Sequence, residues 1–188
     1  MGLSINIELS DNDLDHFQEV LRRANQAAGT LDSHQITAAA GKLLESASQS
    51  EVPEFIGERL GKLESLINMV HDLGWGLPDE DRARVLTALT YFADPHDVIP
   101  DSVPVVGFLD DAIMIELCVR ELKHELDAYQ DFCQFRDSEA QTRGEQVGTL
   151  MRADWMEERR AELQDRMRRR REREGYVPRG GGSLFRFR

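Results

Sequence analysis

The chain has 188 residues, with 35 acidic against 23 basic side chains and a formal net charge of −12. That length suits one compact domain plus an extra segment, and a hydrophobic share of 40 % is enough for a modest core, which excludes full disorder. No run approaches the roughly 20 apolar residues of a bilayer-spanning helix, and no basic start with an apolar run follows Met1, so no secretory leader is expected.

Leu3-Ser4-Ile5-Asn6-Ile7-Glu8-Leu9 alternates apolar and polar side chains, as in a short half-buried strand or, lacking a ladder partner, an extended lead-in. Ser10-Asp11-Asn12-Asp13 supplies capping side chains; Leu14, Phe17, Val20, Leu21, Ala24 and Ala28 follow at helical spacing until Gly29. A second helix starts near Ser33, with Ile36, Ala39, Ala40, Leu43, Leu44 and Ala47 on one face. Glu51-Val52-Pro53 opens a third, striped by Ile56, Leu60, Leu63, Ile67 and Val70. Gly74-Trp75-Gly76 closes it, with Trp75 expected to plug the turn into a fourth helix that begins at Pro78-Asp79 and points Val85, Leu86, Leu89 and Phe92 inward.

Asp94 to Gly107 differs in character, because Pro95, Pro100 and Pro104 exclude a regular helix there. A long helix resumes at Asp110, using Ile113, Leu117, Leu122, Leu126, Tyr129 and Cys133. Cys118 and Cys133 fall within it; at about 1.5 Å rise per residue they stand some 22 Å apart, beyond disulfide reach. They make no zinc site and read as buried apolar filler, in keeping with a reducing cytoplasm. His16, His34, His71 and His124 are scattered singly, without a helical mate, and suit surface or helix-end positions.

The segment Tyr91-Phe92 … Pro95-x-Asp97-x-Ile99-Pro100-Asp101 … Pro104-x-x-Gly107-x-x-Asp110-Asp111 resembles the YkvA-like family of bacterial proteins, defined by domain of unknown function 1232. The resemblance covers about Val85 to Leu122, and the opening Ile7-x-Leu9-Ser10-x-x-Asp13-Leu14-x-x-Phe17 is similar to the start of soluble members. It implies no activity, cofactor or catalytic residue. Some relatives look membrane-embedded around this segment; here Asp101, Asp110, Asp111 and Glu116 interrupt any apolar span.

Asp97, Asp101, Asp110 and Asp111, with His96 as an accessory acid or base, form the one constellation that could carry chemistry. Hard oxygen ligands would select Mg²⁺ or Mn²⁺, the cofactors of a metal-dependent enzyme reading. The preferred expectation has no cofactor: Asp110 or Asp111 caps the next helix, both carboxylates favour its positive end, and Asp101 completes a turn after Pro100. Val98, Ile99, Val103, Val105, Val106, Phe108 and Leu109 then pack the loop onto the bundle, or form an apolar docking loop. No helical two-histidine zinc motif, phosphate-cradling glycine loop or nucleophile elbow is present.

Charge is unevenly spread. Met151–Arg188 holds 12 arginines and 7 acids, a balance of +5, leaving −17 for the first 150 residues. Val147, Met151, Trp155, Leu163 and Met167 keep roughly helical intervals, but 14 of the 18 residues from Glu157 to Glu174 are charged. Such a helix projects into solvent, docks by charge or pairs with a partner. Arg168, Arg169, Arg170, Arg171 and Arg173, with Phe185 and Phe187 downstream, form a candidate binding arm. Guanidinium groups and rings suit nucleic acid or an anionic membrane surface; a protein partner, a homo-oligomer, or folding back over the acidic body are the alternatives.

The sequence thus predicts an all-α bundle of five to six helices: a helical domain over 1–137, a charged helix over 138–174, and an Arg/Phe/Gly tail over 175–188. It reads best as a cytoplasmic, non-enzymatic interaction module. A metal-dependent enzyme or a peripheral membrane protein are the alternatives.

Overall fold

The computed structural model describes residues 8–27, 31–93, 107–145, 147 and 154–174. They form seven α-helices: α1 (Asp11–Ala27), α2 (Ser33–Ser48), α3 (Glu54–His71), α4 (Asp79–Leu89), α5 (Leu109–Glu121), α6 (Lys123–Arg143) and α7 (Asp154–Arg173). A 3-10 turn over Thr90–Ala93 follows α4. No strand occurs among the described residues, and all of the alternating lead-in but Glu8 and Leu9 lies outside them. The extra helix arises because the single element expected from Asp110 is divided at Leu122 (φ −98°, ψ 20°), whose side chain is buried in the core.

Local chemistry sets the helix starts. Ser10 and Asp13 bond reciprocally ahead of α1, and Asp32 and Gln35 close a capping box on α2. Pro53 and Pro78 precede α3 and α4. The core runs through Ile56, Leu63, Leu66 and Met69 of α3, Val85 and Leu89 of α4, Met114 and Ile115 of α5, and Phe132 of α6.

The turn between α3 and α4 is organised by Asp72. Its Oδ1 accepts from the backbone N–H groups of Gly74 (2.9 Å) and Trp75 (3.1 Å), while Oδ2 accepts from the Tyr129 hydroxyl (3.1 Å) and the Arg136 guanidinium (2.7 Å) of α6. Trp75 fills the turn, fully buried, with ring centroids 6.0 Å from Tyr129 and 5.2 Å from Phe132. Gly76 takes φ +55°, a left-handed conformation that side chains disfavour.

α7 lies along α6 and docks by a narrow stripe: Met156, Leu163 and Met167 are buried, with Gln164 and Arg171 on the same side. Gln164 Nε2 donates to the carbonyl of Trp75 (2.9 Å) and Arg160 to that of Gly74 (3.1 Å), so α7 satisfies the α3–α4 turn from outside. Arg166 pairs with Asp131 of α6. So charged a helix therefore docks on the bundle through this apolar stripe together with ion pairs.

The deepest attachment is ionic. Arg171 Nη1 reaches Asp81 Oδ1 of α4 (2.5 Å) and Glu125 Oε1 of α6 (2.9 Å), both carboxylates being almost wholly buried. Arg84 of α4 approaches Glu125 (3.2 Å) and Glu121 of α5 (3.8 Å). Two guanidinium groups are thus interleaved with three carboxylates drawn from three helices. Burial pushes the Glu121 carboxyl up to about 7; Arg84 offsets part of that rise and Glu125 adds to it.

Two outcomes follow from this cluster. Arg171→Ala, which strands Asp81 and Glu125 without their shared partner, is expected to cost about 3–5 kcal/mol in urea unfolding, while Arg169→Ala on the exposed side costs less than about 1 kcal/mol. Equal losses would contradict the burial of that pair. Glu121 behaves as an acid whose folded pKa exceeds its unfolded one: its stabilising contribution is whole below the unfolded value of 4.5 and fades as pH rises through about 7. Glu121→Gln, which fixes the neutral form, should therefore raise Tm over the parent chain at about pH 8 and leave it nearly unchanged at about pH 5. A thermal scan showing the same difference at both pH values would refute that assignment.

Candidate functional site

The aspartate constellation divides. Asp97, Asp101 and His96 lie outside the described residues. Asp110 and Asp111 are buried in the first turn of α5, and both have partners. Neither is the N-cap: α5 begins at Leu109, so that position falls to Phe108, which makes no side-chain capping bond. The two carboxylates instead occupy the second and third helical positions, where the positive end of the helix dipole favours them. Among the described residues, no group of three or more His, Cys, Asp and Glu is placed to hold a metal ion. Of the loop's apolar residues, Phe108 is buried and Leu109 partly so; the others lie outside the described set.

The arm arginines also divide, according to helical phase. Arg171 continues the stripe of Met156, Leu163 and Met167 and is buried in the cluster with Asp81 and Glu125, which withdraws it from any outer binding surface. Arg168, Arg169, Arg170 and Arg173 are exposed. Arg169 pairs with Asp165 one turn earlier. Arg168, Arg170 and Arg173 make no ion pair among the described residues. Phe185 and Phe187 lie outside the described residues, as does the side chain of Trp155.

At its C-terminal end α7 meets the first turn of α6 across an open groove of about 260 Å³, lined by Lys123, His124, Asp127, Arg170, Arg173 and Glu174. His124 Nε2 lies 2.9 Å from Glu174 Oε2, and this hydrogen bond, with the histidine's charge when protonated, holds the Glu174 carboxyl below its ordinary range. Lys123 is exposed and, like Asp127, has no ion-pair partner among the described residues. Three fixed positive charges face two carboxylates here.

Sequence reasoning passed over Lys123, His124 and Asp127 as parts of this surface, and Asp81, Arg84, Glu121 and Glu125 as seats for α7. Arg171 and Asp81 are 90 positions apart, and Arg171 and Glu125 are 46 apart, so no spacing rule connects them. The one available signal was the phase of Arg171 on the Met156–Leu163–Met167 stripe. The two cysteines sit on separate helices, unbonded; burial pushes the Cys118 thiol up to about 12, as befits a packing residue. His71 ends α3 with Nε2 2.8 Å from the Thr37 hydroxyl, a helix-end role.

No helix among the described residues is long and apolar enough to cross a membrane. No curated protein and no solved structure matches the chain. Residues 81–117, from the buried Asp81 of α4 to Leu117 of α5, match the family model described as "Protein of unknown function (DUF1232)". This stretch supplies Asp81 and Arg84 to the buried cluster and holds the Asp110-Asp111 pair; it is similar to DUF1232, a bacterial domain of unknown function with which the YkvA-like resemblance agrees.

Proposed function

We propose that the chain is a helical interaction module that binds nucleic acid phosphates through the exposed arginines of α7. One observation carries this reading. On a chain of net charge −12, Arg168, Arg170 and Arg173 stand exposed and take no carboxylate partner among the described residues. Intramolecular pairing is the default for arginine on so acidic a body, and Arg160, Arg166, Arg169 and Arg171 all follow it. A guanidinium left unpaired on a rigid helix is preorganised for an external phosphate.

An anionic membrane surface is the less favoured partner. Lipid docking by an amphipathic element needs apolar side chains beside the charges, and the large hydrophobic residues exposed among the described ones, Phe55, Leu73 and Val147, are on other parts of the chain. The acidic body supports the choice in another way: it repels a polyanion everywhere except at this end, which fixes the orientation of approach.

Binding to a single-stranded oligonucleotide should fall steeply between about 50 and 200 mM salt. Replacing Arg168, Arg170 and Arg173 together by alanine should reduce the log–log salt slope by about 2, the value for counterions released from three neutralised phosphates on a single strand. Salt-independent affinity, an unchanged slope in the triple variant, or binding only to anionic vesicles would each overturn the reading.

A further inference from the structure

Resting on that reading, we propose that the groove between α6 and α7 receives the terminal phosphate monoester of a nucleic acid strand. The exposed arginines around α7 can engage a backbone of diesters, but the groove has a different character. It is an open groove of about 260 Å³ whose cations come from two helices: Lys123 from α6, Arg170 and Arg173 from α7. A monoester presents three terminal oxygens and a charge of nearly −2 near neutral pH, which matches the three cationic side chains that line the groove. A diester offers only two such oxygens and a single charge.

The acids in the groove sharpen this distinction. Asp127 and Glu174 leave the fixed side chains with a balance of only +1, so a singly charged diester gains little there while a dianion gains about twice as much. Glu174 is held by the His124 Nε2 at 2.9 Å, which ties down one of the two carboxylates. The first turn of α6 adds the positive end of a 21-residue helix beside Lys123, and Arg170 and Arg173 offset the negative end of α7. The spacing of Arg170 and Arg173 places both on one side of α7, so Arg173 extends the same face toward the end of the strand.

The test compares one single-stranded RNA oligonucleotide in 5′-phosphate and 5′-hydroxyl forms, titrated into the full chain at about 0.1 M salt and followed by fluorescence anisotropy. The phosphorylated form should bind about tenfold more tightly. Lys123→Ala, an exposed position outside the arginine face, should abolish that preference and leave the 5′-hydroxyl affinity within about twofold. Equal binding of the two forms by the parent chain would overturn the groove as a phosphate site while leaving the arginine face intact. Failure of both forms to bind would overturn the two proposals together, and a phosphate preference that survives Lys123→Ala would place the monoester elsewhere. Binding of phosphatidic acid vesicles in preference to the phosphorylated oligonucleotide would assign the same phosphate chemistry to lipid and overturn the nucleic acid partner.

Discussion

The arrangement of the last helix depends on one guanidinium. Arg171 stands between Asp81 and Glu125, two carboxylates that the folded chain takes out of water. Buried acids without a counter-charge cost several kcal/mol each, so the bundle is complete only when α7 delivers its arginine to that position. Arg84, already beside Glu125 and Glu121, does not complete the arrangement alone: it faces two carboxylates, and Asp81 is engaged by the other arginine. The clamp therefore sets the register of α7 on α6, since a slip of one position would carry Arg171 off the face and bring Arg170 or Glu172 toward the acids.

That register decides which arginines remain outside. A helix rotates about 100° per residue, so once Arg171 points inward, Arg168 to Arg170 and Arg173 are distributed around the remaining surface. The exposed basic face and the groove with Lys123 are consequences of the same buried pair. The matched family segment contributes half of the seat, through Asp81 and Arg84, while α6 and α7 lie beyond it. Through Asp81 the matched segment is therefore linked mechanically to the basic end of this chain.

Most of the helical order is legible in the residues. Apolar periodicity locates α1 to α4, capping side chains from Ser10 to Asp13 mark the first start, and the Gly74-Trp75-Gly76 turn is found where the glycines place it. Two local features are not legible. The break at Leu122 has no glycine or proline to announce it, because the residue that bends the chain is an ordinary leucine pulled into the core. The start of α5 at Leu109 displaces Asp110 and Asp111 inward by two positions, since Phe108 is anchored by burial rather than by a capping side chain. The candidate site was half visible: composition exposes the arginines, but only tertiary contact separates Arg171 from its neighbours and brings Lys123 to Arg170 and Arg173.

The bonds from Gln164 and Arg160 to the backbone of Trp75 and Gly74 link positions 86 to 89 residues apart. During synthesis the α3–α4 corner emerges long before the helix that finishes it, and loop closure over such a distance comes late. Until then those two carbonyls keep their hydration, and the indole beneath them has a wet roof. Ribosome-bound chains that stop short of α7 would thus be held as an unsealed vessel, and the basic end would be presented only by molecules whose translation had passed that helix.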